Sequence, residues 1–138
     1  MAAYVATIFL HGGALVYGSQ EVGYEKPINF FHYVAVDWNA HPDLYKEYQT
    51  LIGIYNDNPA LRKGELKKLK GGNDEDVIFF QKSLDNDKFV VVVNVRNKVQ
   101  KIAPPKGIDG TDLINKQKVS SGEVMVLQPY EYKIIKLN

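Results

Sequence analysis

Three histidines, one tryptophan and sixteen carboxylates are the reactive stock of this 138-residue chain, which has no cysteine. The missing thiols exclude disulfides, thiolate-bound zinc and cysteine nucleophiles. Gly13, followed after four residues by Gly18-Ser19, has the outline of a phosphate-cradling loop, but it lacks the lysine that would reach the phosphates. Ser19 is not in a G-x-S-x-G elbow, and no His and Asp stand placed to activate it. His11, His32 and His41 have neither i, i+4 spacing nor an HExxH frame, so they read as cap or loop histidines rather than metal ligands. No G-x-G-x-x-G is present for a dinucleotide.

Residues that do chemistry need elements to hold them, and composition promises those elements. Apolar residues make up 45% and charged residues 24%, the balance of a globular protein. A formal net charge of +1 gives no reason to expect nucleic acid or an anionic membrane as partner. Lys and Arg gather between Arg62 and Lys70 with only Glu65 to offset them, and no aromatic residue is interleaved. That run reads as a solvated loop or edge strand, not a phosphate-binding patch. Met1 to Leu10 has no positive n-region and too short an apolar run for a signal peptide or membrane span. A start in mid-helix reads as a piece cut from something longer.

Two textures follow one another. Ala2 to Leu10 is apolar on most faces, as in a helix inside a larger body, and Gly12-Gly13 ends it. Ala14-Leu15-Val16-Tyr17, an unbroken apolar run, predicts a strand covered on both faces as in a parallel sheet. Gly18 to His41 shows no periodicity. Pro42 then opens a helix with Leu44, Tyr45, Tyr48, Leu51, Ile52 and Tyr55 on one face, and Asn58-Pro59 stops it. Beyond it, Val77 to Phe80 and Phe89 to Val93 flank the turn cluster Asp85-Asn86-Asp87 and predict a hairpin whose second strand is central. Val124 to Leu127 and Tyr132 to Leu137 are further strands, with a sheet-changing corner at Gln128-Pro129.

The stretch Gly13-Ala14-Leu15-Val16-Tyr17-Gly18-Ser19-Gln20-Glu21-Val22-Gly23 resembles the segment around the eighth barrel strand of the alpha-amylase family, glycoside hydrolase family 13, where G-x-P-L-I-Y-x-G-Q/D-E-x-G is usual. Ala14 stands where proline is common and Ser19 where glycine is common, which puts the local turn in question. Pro27 to Phe31, Val36-Asp37-Trp38, Tyr48-Gln49 with Leu51-Ile52, and Asn58 to Glu65 continue the resemblance into the last barrel helix and the entry to a β-domain. Gly110 to Asn115 and Leu127 to Tyr132 are similar to the closing strands.

The resemblance implies a mainly β chain with an α/β N-terminal piece. Residues 1–59 would be the eighth strand and flanking helices of a TIM barrel, and residues 60–138 an antiparallel Greek-key β-sandwich. It implies a parent that is a retaining α-glycosidase acting on α-glucans or maltooligosaccharides. The catalytic carboxylates would lie on earlier strands, so no catalytic residue and no metal ligand carries over, and this chain alone is structural or accessory. No cofactor is implied here; calcium is left to the parent, for which the periplasm or the outside is favoured over the cytoplasm. Gln20 and Glu21 would lie on the active-site face, supporting the substrate pocket, against the alternative of a solvated turn. Trp38, with Phe30-Phe31, can stack on sugar rings, against the alternative of packing beneath the loop. The truncated barrel segment is also a route to a homo-oligomer. Two rival functions stand beside this one: a non-catalytic carbohydrate-binding sandwich, and a scaffold that touches no sugar.

Overall fold

Phe89, Val90, Val91, Val92 and Val93 are all fully buried, so both faces of one strand are covered. Side chains alternate across a strand, which means that two different layers must do the covering. In the computed structural model, which describes residues 1–11 and 13–138, they do. The strand is β3 (Asp87–Asn94), paired antiparallel with β2 (Val77–Leu84) across the two-residue turn Asp85-Asn86. Asp85 takes the left-handed φ of 52° that this tight turn requires. On the other side of β3 lies β8 (Tyr132–Leu137).

The full sheet runs β1-β2-β3-β8-β5-β6, where β1 is Glu65–Lys68, β5 is Gly110–Asp112 and β6 is Lys118–Val119. A second sheet has two strands, β4 (Gln100–Ile102) and β7 (Met125–Leu127). One row across the large sheet joins Phe80, Val91 and Ile134. It packs with Phe89 and Val93 against α1 (Ala2–Phe9), α2 (Pro42–Asp57) and α3 (Pro59–Lys63), through Val5, Phe9, Leu51 and Leu61. The opposite face presents Phe79, Val90, Val92 and Ile135 to Ile102, Met125 and Leu127 of the small sheet. Burying such side chains contributes about 1.5–3 kcal/mol each.

The predicted hairpin, the strands near 124 and 132, and the corner at Gln128-Pro129 between the two sheets all stand. Asn94 fixes that corner: its side-chain amide donates to the carbonyls of Lys98 at 2.7 Å and Gln128 at 2.8 Å, while its Oδ1 accepts from Arg96 N. β1 is the exposed, lysine-rich edge strand expected of the basic run, and such charges discourage edge-to-edge pairing.

Three readings are corrected. Pro59 does not simply stop α2 but begins α3, because a proline lacking N–H suits the first turn of a helix. Within α2 the stripe is shifted: Tyr45 is exposed, and Ile54 packs on the core beside Leu44, Tyr48, Leu51 and Tyr55. Finally, Ala14 to Tyr17 has no regular secondary structure and is not part of either sheet, since a strand exists only where a neighbour completes its hydrogen bonds.

Two polar ties hold the helices to the sheet. Fully buried Lys82 on β2 donates from Nζ to the Leu10 carbonyl at 2.8 Å, just past the C-terminus of α1. Burial pushes its pKa down. Tyr132 on β8 donates its hydroxyl to Glu47 on α2, and burial first, then that carboxylate, pushes the phenol pKa up. At the far end of the sheet, Asp76 accepts from Lys98 Nζ at 2.8 Å and Arg96 Nε at 3.0 Å.

Leu51→Ala should cost about 2–5 kcal/mol, read from urea unfolding, because it opens a void between α2 and the sheet. Asp76 gives a pH signature. Its carboxyl is held below the usual carboxylate range, by Lys98 first. The stability it brings is therefore whole above the unfolded carboxylate pKa of about 3.9 and is lost as pH falls through the lower folded value. In an acid titration followed by circular dichroism, Asp76→Asn should flatten the curve in that window; an unchanged curve would show that the cluster contributes nothing.

Candidate functional site

The loop between α1 and α2 carries every residue that the sequence marked for function. Its first bend is built from left-handed residues: Gly18 at φ 49°, Ser19 at φ 63° and Gly23 at φ 66° bracket a single 3-10 turn, Gln20–Val22. Ser19 keeps the conformation that a glycine would take freely, so the departure from the family pattern is absorbed as backbone strain. At Gly18 the left-handed φ favours glycine; a Cβ there would also lie 2.3 Å from Ile28 Cδ1, the far end of a side chain that can shift aside.

Gln20 and Glu21 turn towards α2. Gln20 Oε1 accepts from Tyr17 N at 3.4 Å, and its side chain also hydrogen-bonds Tyr48. Glu21 Oε2 is buried without a hydrogen-bond partner among the described residues, and its charge helps to hold the Tyr48 pKa up, after burial as the main cause. Tyr48 stacks at a tilt on Tyr4 with ring centroids 4.6 Å apart, and the Tyr4 hydroxyl is likewise buried and unpartnered among the described residues. Gln20, itself exposed, and Glu21 thus both act on one buried tyrosine of α2, Tyr48.

The remaining aromatics do the reverse. Trp38 is 62% exposed, and Phe30, Phe31 and Tyr33 are more exposed still, so packing beneath the loop is not what these rings do within this chain. Asx turns present them: Asn29 Oδ1 accepts from Phe31 N at 2.8 Å and His32 N at 3.2 Å, and Asp37 Oδ1 accepts from Asn39 N at 3.0 Å. An open groove of about 600 Å³ is lined by Tyr17, Gln20, Tyr24, Glu25, Lys26 and Phe30 among others. Trp38 is not among its lining residues. Of the residues the sequence marked, Gln20 and Phe30 reach the groove, whereas Glu21 and Trp38 do not; Tyr17 and Tyr24 were missed. The alternation of Leu15 and Tyr17 against Ala14 and Val16 was the available signal for Tyr17. Among the described residues no three His, Cys, Asp or Glu side chains converge to hold a metal.

Neither a family model nor a curated protein matches the chain. Solved structures do. A mutant of MutB in complex with glucose superposes on 74% of the chain with a TM-score of 0.61 and 24% identity. A mutant of isomaltulose synthase from Erwinia rhapontici NX5 in complex with D-glucose superposes on 73%, with a TM-score of 0.60 and 24% identity. A mutant of the trehalulose synthase MutB in complex with Tris superposes on 72%, with a TM-score of 0.59 and 26% identity. The chain spans 19% of the length of each of these three. These are alpha-amylase-family enzymes, so the resemblance read from the sequence stands, and the fold is that of the β-rich C-terminal domain of such an enzyme.

Ser19→Gly should raise stability by about 0.5–1 kcal/mol, relieving the left-handed strain, as measured by thermal or urea unfolding. A loss of stability instead would mean that the serine side chain contributes more than its backbone costs.

Proposed function

We propose that this chain is the end of the barrel and the C-terminal β-domain of a glycoside hydrolase or transferase that acts on α-glucosides. In it the chain supplies wall and cover, and the catalytic carboxylates come from another part of the enzyme. One observation carries the reading. Between α1 and α2 in the sequence, Ala14 and Val16 pack on the core while Leu15 and Tyr17 stay bare, the alternation a barrel strand would have. The length of the solved chains supports it, since a retaining site needs two carboxylates about 5–5.5 Å apart on a completed barrel. Here Glu21, in the bend just after that segment, acts on the buried Tyr48.

Gln20 and Glu21 then act on the pocket indirectly, by fixing the bend that follows the strand, and Trp38 lies on the loop that faces the sugar. The substrates of the parent are α-linked glucans or maltooligosaccharides; sucrose, found in complex with a MutB mutant that superposes on 91% of the chain, is of the same α-glucosidic class. A second reading, a carbohydrate-binding module, is favoured by the bare aromatic rings of residues 17–38.

The purified chain should give no turnover of a chromogenic maltoside, maltooligosaccharides or sucrose. Turnover that co-purifies with the chain through successive columns overturns the proposal. Calorimetry with maltoheptaose separates the second reading: a dissociation constant well below millimolar, lost in Trp38→Ala or Phe30→Ala, would make the chain a sugar-binding module.

A further inference from the structure

A cavity of about 320 Å³ opens inside the β-domain and is lined from both sheets. Asp112 on β5 and Lys133 on β8 belong to the large sheet, and Val126 on β7 to the small one. Ser120 and Val124, in the connection between β6 and β7, also line it. Asp112 pairs with Ile135, and Lys133 lies two residues before Ile135, so all three sit on the face turned to the small sheet. The helices cover the opposite face, so the cavity is a feature of the β-domain alone.

One wall holds two charges that do not meet. Asp112 is 1% exposed. Its Oδ1 accepts from Ile114 N at 3.1 Å and Ile134 N at 3.3 Å, whereas its Oδ2 is buried without a hydrogen bond among the described residues. The Lys133 ammonium stands 3.8 Å from Oδ2, beyond hydrogen-bond reach, and 3.3 Å from its other carboxylate, Glu131. A buried acceptor left unmet costs free energy, which a bound donor recovers.

We propose that this cavity binds a neutral polyhydroxylated molecule, one pyranose ring in size. A hydroxyl fits between the two charges, because it donates to Asp112 Oδ2 and accepts from Lys133 Nζ at once. A turn of the long Lys133 side chain admits it. The formal charges of the lining cancel, Asp112 and Glu123 against Lys118 and Lys133, which favours a neutral ligand over an ion. Val124 and Val126, 58% and 45% exposed, offer apolar surface to the C–H edges of a ring. The volume lies at the lower end for small-molecule sites, and no aromatic ring is among the lining residues, so binding is weak. The site shares no residue with the loop of residues 17–38 and stands apart from the hydrolase reading, so either can fail alone.

The intact, isotope-labelled chain titrated with maltose into tens of millimolar, and followed by NMR, provides the check. The amide shifts of Ser120, Val124 and Lys133 should move and saturate in the low millimolar range. Ser120→Trp, at an exposed position, should abolish those shifts without lowering the thermal midpoint, because it fills the cavity and leaves the core alone. Lys133→Met should weaken binding about tenfold, through loss of a charged donor. Trp38→Ala should leave the shifts intact. Shifts confined to residues 17–38, or none at all, overturn the proposal: the cavity then holds water only. So does calcium chloride moving the same amides at lower concentration than maltose, which would make the site one for a cation.

Discussion

A strand whose two faces are both apolar cannot remain in water on either side, and β3 is such a strand. Phe89, Val91 and Val93 demand one covering layer; Val90 and Val92 demand another. The second layer is found locally, in the small sheet of β4 and β7. The first comes from far away in the chain, from α1, α2 and α3. The β-domain therefore has no complete core without those helices, and the helices have no apolar shelter without the sheet. Lys82 and the Tyr132–Glu47 bond add direction to that mutual burial, because they set where each helix lies along its strand.

What could be read from the sequence follows from how local each cause is. The run of valines in β3, the turn at Asp85-Asn86 and the proline at the start of α2 act within a few residues, and each is legible. Strands β4, β5 and β6 are two or three residues long and owe their existence to partners across the sheet, so pattern alone does not mark them. Gly110 illustrates the point. A Cβ there would lie 2.2 Å from the carbonyl of Lys136, a contact between residues distant in sequence. The stripe on α2 was legible in period but not in phase: which of Tyr45 and Ile54 faces inward is decided by where α1 and the sheet lie, not by the helix.

The loop from Gly18 to His41 was legible as an irregular segment worth attention, yet the direction of its side chains was not. Gln20 and Glu21 act on Tyr48, distant in the sequence, and only the packing of α2 puts it there. The exposed rings invert the ordinary expectation that large aromatics find cover. They are held out by short side-chain-to-backbone bonds at Asn29 and Asp37, which shape the loop without burying it.

The buried end of Lys82 has one more implication. A surface pair such as Lys68–Asp74, both largely exposed, weakens as salt is added. The Lys82 bond to the Leu10 carbonyl sits where counter-ions do not reach, so brine that loosens the rim of the molecule leaves the seam between helix and sheet fastened. Ionic strength thus divides this protein into a periphery that responds to its medium and a keel that does not.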